Sequence, residues 1–182
     1  MKSITLTLLL FLFPGAFQCA SEAADPLIWN EDLQLYSWQD RLYATSKQHV
    51  YDESFLSALA QKDIRYFIDV DSEASKAIEE NLALHDIEYI HASFFCDKEN
   101  NSYCPQNATR ALQKIAPAKT IVACNHGTKA GAWLAVYLIQ NQGMEAKQAT
   151  ASGLKIVAKD PAMQAKATAM IKAALAQSAT KP

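Results

Sequence analysis

Residues 129–142 read as a helix that is apolar nearly all round, through Trp133, Leu134, Val136, Tyr137, Leu138 and Ile139. A helix with no polar face cannot rest on a surface, so it belongs inside a layered domain. Gly143 stands where a helix commonly ends in the left-handed conformation. The residues just before the helix narrow the fold further. Residues 120–124, Thr-Ile-Val-Ala-Cys, form a short buried strand, and residues 125–128 a tight polar turn. A strand, a turn and a buried helix thus meet at one cysteine, Cys124.

Strands and helices alternate through most of the chain. Residues 41–45 read as a strand. Asp52 is placed to cap a helix from Glu53 to about Gln61, with Phe55, Leu56 and Leu59 on its buried face. Residues 64–70, Ile-Arg-Tyr-Phe-Ile-Asp-Val, have the content of a strand in the middle of a sheet. A helix over about 72–84 and a strand over 87–91 follow. A polar loop, 92–104, leads to a helix that opens at Pro105, carries Ala108, Leu112 and Ile115 inward, and ends at Pro117. A short helix over about 145–151 is expected to stop at Gly153. Asp160-Pro161 then starts a final amphipathic helix that runs to about Gln177. Residues 27–35 are mixed and suit a short strand or an edge segment. This alternation predicts an α/β fold with a mostly parallel central sheet and helices on both faces. The length of 182 residues, half of them hydrophobic, suits one domain over 25–182 with a sizeable core.

The first residues read as an address. Lys2 precedes an apolar run over 4–13, Pro14-Gly15 breaks it, and small residues follow at Ala20, Ser21, Ala23 and Ala24. This is the pattern of a signal peptide over 1–24, with cleavage near 20–24. The run falls short of the roughly 20 apolar residues that span a bilayer. No stable membrane span is therefore expected after its removal. A retained anchor is the alternative, as is lipid attachment at Cys19, which Gln18 disfavours because a lipoprotein site prefers Gly or Ala there. The expected location is secreted or periplasmic. In an oxidising compartment Cys96 and Cys104, which flank a short polar segment, are candidates for a disulfide; unpaired thiols are the other reading. Cys124 is then the odd, reactive thiol.

A formal net charge of -2 without a basic run argues against nucleic acid as a partner. His49, His85, His91 and His126 lack metal-ligand spacing, and no Gly-rich nucleotide motif is present, so neither a metal nor a cofactor is implied. The chemistry rests on Cys124. At the positive end of a helix, backbone N–H groups gather around the sulfur, and its pKa is expected below the usual value of about 8.5. Gly127 allows a positive φ or a close backbone approach, and Lys129 adds a cation. Such a loop suits attack of sulfur on phosphorus or on sulfur.

Cys124-Asn-His-Gly127-Thr-Lys129, followed by Gly131-Ala-Trp133-Leu, resembles the active-site loop of the cysteine-based phosphatases. It is most similar to a bacterial branch near the dual-specificity protein tyrosine phosphatases, whose loop reads Cys-x-x-Gly-x-Arg. Features at 41–43, 55–59, 64–70, 87–91 and 153–155 fall in the matching order, so the resemblance covers about residues 40–158. It implies a dual-specificity phosphatase-like domain that hydrolyses a phosphate monoester through a phosphocysteine, with a phosphorylated substrate or anion as its partner. Cys124 would be the nucleophile. Asn125, His126, Gly127, Thr128 and Lys129 would form the phosphate cradle. Asp97 would be the general acid, although a solvated surface Asp is the alternative reading, as it is for His126. Asp69 and Asp71 read as an end-of-strand turn and a helix cap. The sequence departs from the family twice: Lys129 replaces the loop arginine, and Ala123 replaces the histidine that precedes the cysteine. Arg grips a phosphoryl group with two parallel hydrogen bonds, whereas Lys offers a point charge. Two further readings stay open. One is a catalytically degenerate module that binds an anion or a partner. The other is a rhodanese-like sulfurtransferase, because rhodaneses carry a similar loop.

Overall fold

The computed structural model describes residues 27–179. The expected signal peptide, with Cys19, lies outside the described residues. Six strands form the main sheet: β1 (Leu27–Asn30), β2 (Leu35–Trp38), β3 (Leu42–Ser46), β4 (Ile64–Asp69), β5 (Glu88–His91) and, later in the chain, β8 (Lys119–Cys124). Their spatial order is β1-β2-β3-β8-β4-β5. The four strands β3, β8, β4 and β5 run parallel. The first two strands join antiparallel at one edge, so residues 27–35 hold the short edge strand β1, as the sequence suggests, and the start of its hairpin partner.

The two strands with the longest apolar runs, β8 and β4, lie at the centre of the parallel part. From Thr120 to Cys124 every residue of β8 is buried, because β3 and β4 cover its edges and helices cover both faces. Side chains alternate along a strand. Val122 and Cys124 therefore enter a core with α3 (Gln106–Ile115), α4 (Thr128–Gln142), α5 (Ala146–Ile156) and α6 (Pro161–Ala179). Ile121 and Ala123 enter a second core with α1 (Glu53–Gln61) and α2 (Lys76–Ala83). The thiol is thus committed to the face that α4 covers.

Helix starts follow their caps. Asp52 accepts from the Ser54 N–H at 3.0 Å to open α1, and Asp160 accepts from the Ala162 N–H at 2.8 Å to open α6. Two helices differ from the sequence reading. Helix α2 begins four residues later than expected, because Ser75 is its cap and accepts from the Ile78 N–H. Helix α5 does not stop at Gly153 but continues to Ile156. Gly153 is the point where α5 crosses α4. A Cβ there would lie 2.3 Å from the carbonyl oxygen of Gly131, and a Cβ on Gly131 would lie 2.4 Å from that of Gly153. Both glycines serve contact between helices and not helix termination. The polar loop also holds more structure than expected. It forms a small hairpin, β6 (Phe95–Asp97) with β7 (Ser102–Tyr103), closed by a Cys96–Cys104 disulfide. The Tyr103 N–H donates to Oε1 of Gln177 and so ties this hairpin to α6.

Gly153→Ala places a methyl against backbone that cannot move away, the overpacking that typically costs about 1–3 kcal/mol. Urea unfolding is expected to show that loss, with a smaller effect from Ala at the exposed Gln142, which gives up only a hydrogen bond to the Tyr137 hydroxyl.

Candidate active site

The carboxyl ends of the parallel strands collect several polar groups at one edge of the sheet. Ser46 of β3 pairs with Cys124, and Asp69 of β4 lies beside both Ala123 and His91. The chain leaves β8 at Cys124, turns through residues 125–127 and enters α4. Gly127 has φ +72 and its N–H donates to the Cys124 carbonyl at 3.3 Å. A Cβ on it would sit 2.3 Å from the Ile156 carbonyl oxygen, so the end of α5 presses on the loop and excludes any side chain there.

The Cys124 sulfur accepts from the N–H groups of Lys129 at 3.2 Å and Ala130 at 3.4 Å, both in the first turn of α4. That much follows the sequence reading. The acidity does not. Burial pushes the thiol above its usual pKa, and the nearby Asp71 carboxylate adds to the rise, while the Ala130 N–H and Lys129 pull the other way. Cys124 is 1% exposed, and enclosure outweighs the helix end. Ala123, where the family carries His, points into the opposite core and offers the sulfur no polar contact.

A buried ion network lies beside the thiol. Lys47, in the short 3₁₀ turn after β3, places Nζ 2.8 Å from Oδ2 of Asp69 and 2.6 Å from Oδ2 of Asp71. Lys129 Nζ meets Oδ1 of Asp71 at 2.5 Å. The Asn125 N–H donates to Oδ2 of Asp71 at 3.0 Å. Asp69 also accepts from the Tyr89 hydroxyl at 2.8 Å and, through Oδ1, from the Asp71 N–H at 3.0 Å. Burial alone would raise the Asp71 pKa, but Lys129 and Lys47 overcome it and hold the carboxyl below the usual range. Neither aspartate caps a helix. Asp69, Asp71 and Lys47 belong to no motif of the sequence that marks them as site residues. The available signal was Asp at alternate positions ending a central strand, since ligands of open α/β sheets bind outside the carboxyl ends of the strands. Lys47 carries no comparable signal.

The other candidate residues separate. Asn125 and His126 are exposed. Thr128 is buried, with its hydroxyl 3.7 Å from the Met163 sulfur. Asp97 folds back on its own hairpin. It accepts from the Asn100 side chain at 2.6 Å and from the Glu99 and Asn100 N–H groups. The Asn100 contacts hold its pKa below the usual value. It is an exposed, ionised turn cap, whereas a general acid must carry a proton. A cleft of about 370 Å³ opens over the site between Asp71, Asn125, Lys129, Lys98, Lys166 and Phe95. A larger cavity, about 610 Å³, lies between β5 and α3 and includes none of the Cys124 loop. Among the described residues no three His, Cys, Asp or Glu side chains group as metal ligands.

No protein-family model matches the chain, and no curated protein matches it in sequence. Its fold does have solved relatives. P. aeruginosa TpbA, also solved in complex with pTyr, aligns over 87% of this chain and 99% of its own, with TM-score 0.57 and 13% identity. A DUF442 protein of Shewanella putrefaciens CN-32 aligns over 79% and 89%, with TM-score 0.55 and 14% identity. The core catalytic domain of the S. cerevisiae PP-IP phosphatase SIW14 aligns over 75% and 88%, with TM-score 0.51 and 13% identity. The chain has the fold of the cysteine-based phosphatases.

Because folding raises the thiol pKa, the folded chain holds that proton more tightly than the unfolded chain. The resulting stability is complete below the unfolded value, near 8.5, and is lost as pH rises through the folded value. Iodoacetamide is expected to label Cys124 slowly at pH 7 and to accelerate only in the alkaline range. Fast labelling at neutral pH would show a thiolate already formed.

Proposed function

We propose that the chain hydrolyses phosphate monoesters with Cys124 as the nucleophile. The observation that supports this best is the sulfur at the end of β8 with two N–H groups of the first turn of α4 aimed at it. In this reading the deprotonated sulfur attacks phosphorus, an S–P bond forms, and the ester P–O bond breaks as the leaving oxygen takes a proton from solvent. Water then attacks phosphorus, the S–P bond breaks, and inorganic phosphate leaves with the thiolate restored. The loop N–H groups and Lys129 stabilise charge on the transferring oxygens, because they are already oriented before reaction. Asp97 has no part in this reading, given its turn. Phosphatases among the proteins of similar fold support the class of reaction and not the substrate. We also propose that the mature protein works outside the cytoplasm, a reading supported by the apolar leader over 4–13 and by the Cys96–Cys104 bond.

A second reading has its own observation. Lys129 is paired with Asp71, and burial raises the thiol pKa above its usual value, as suits a module that binds an anion without turnover.

Hydrolysis of p-nitrophenyl phosphate separates the two. Cys124→Ser is expected to reduce turnover to background while keeping phosphate binding. Lys129→Arg is expected to raise it by about tenfold, the scale of one added charge-assisted hydrogen bond at roughly 1.4 kcal/mol. Absence of turnover in the native chain and in the Arg variant would select the binding module.

A further inference from the structure

We propose that the Asp71 carboxylate is the resident anion of the Cys124 cradle, and that phosphate enters by displacing it from Lys129 and the Asn125 N–H. The inference rests on reading this loop as a phosphate site, and it assigns Asp71 as the residue that sets how tightly the site takes an anion.

Both groups that Asp71 engages on the loop are ones a phosphoryl group would use. Lys129 Nζ binds Oδ1 and the Asn125 N–H binds Oδ2, so one carboxylate spans them as two oxygens of a phosphate would. Charge leads to the same point. Lys47 and Lys129 face Asp69 and Asp71, two cations against two carboxylates, so the cluster offers an incoming anion no net positive charge. With Asp71 neutral, the same site would carry one net positive charge in a poorly solvated place, where a charge acts more strongly than in water.

The carboxylate is also placed so that it can leave. The backbone of Asp71 is held independently, by its N–H on Asp69 Oδ1 and by the His91 ring nitrogen donating to its carbonyl at 3.0 Å. Only the side chain needs to turn. Lys47 pairs with Asp69 as well as Asp71, so it stands as a cation for the displaced carboxylate while Lys129 passes to the substrate. The cleft beside Asp71 provides room for that turn and brings Lys98 and Lys166 to its wall. A site that is open only when its internal anion has left binds more weakly in proportion to the open fraction.

Inorganic phosphate is the probe, titrated calorimetrically at pH 7 into the native chain, Asp71→Asn and Asp71→Glu. Asp71→Asn keeps the shape and removes the charge. It is expected to bind phosphate at least tenfold more tightly and to lower the apparent pKa of Cys124 followed by thiolate absorbance. Asp71→Glu is expected to return affinity toward the native value. A merely structural role would move binding the other way, because loss of a buried ion pair loosens the loop. Equal or weaker binding by a folded Asn variant overturns the assignment of Asp71 alone. No phosphate binding by any form overturns the reading of the loop as well. If the Asn variant does not fold, the native chain crystallised in phosphate decides. The anion is expected on Lys129 with the Asp71 side chain turned away, and an unmoved carboxylate beside a bound phosphate overturns the proposal.

Discussion

The alternation of side chains along β8 is the constraint on which the other features depend. A strand covered on both faces and both edges has no tolerance for a slip of one residue, since that would exchange its two cores. Val122 and Cys124 go to the α4 side, and Ile121 and Ala123 to the α1 and α2 side. The thiol therefore ends the strand under the first turn of α4, where two N–H groups reach it. Position and direction of the helix are set in turn by the contact of Gly131 with Gly153 and by the Ile156 carbonyl against Gly127. Three glycines allow α5 to press α4 and its loop onto the sheet, so the packing of two helices reaches the site through backbone contacts.

Electrostatics then decide what that geometry does at rest. A helix end favours a thiolate, but the sulfur is enclosed and has a carboxylate for a neighbour, and its pKa rises above the usual value. The four charges of Lys47, Asp69, Asp71 and Lys129 satisfy one another. Buried ion pairs of this kind recover their desolvation cost only through close contacts, which is why breaking one partner is costlier than having neither. Lys129 is the member that belongs to both the network and the loop. It couples the resting arrangement to any anion that competes for it.

Most of the framework was legible in the sequence because it is written in apolar runs. The strands at 64–70 and 120–124, the helix at 129–142, and the capped starts at Asp52 and Asp160 follow from periodicity and local hydrogen bonding. Gly153 reads as a helix stop because a glycine at a helix end and a glycine at a helix crossing look alike until the second helix is placed. The raised thiol pKa is not legible because local sequence reports the helix end but not the enclosure, nor Asp71, far earlier in the chain. Asp97 had the right neighbourhood as a loop residue, but its hydrogen bonds to Glu99 and Asn100 are short-range and commit it to a turn. Lys47 became a site residue only through the sheet order, which sets β3 beside β8 and brings the following turn next to the thiol.

Transfer of the phosphoryl group to Cys124 is the step on which the proposed function rests. Its most direct test is acid quenching of the native chain during turnover of an aryl phosphate, followed by mass spectrometry of the peptide that holds Cys124. A phosphoryl adduct on that sulfur is the predicted result. An unmodified cysteine while hydrolysis proceeds, or a persulfide at Cys124 after exposure to thiosulfate, would contradict it.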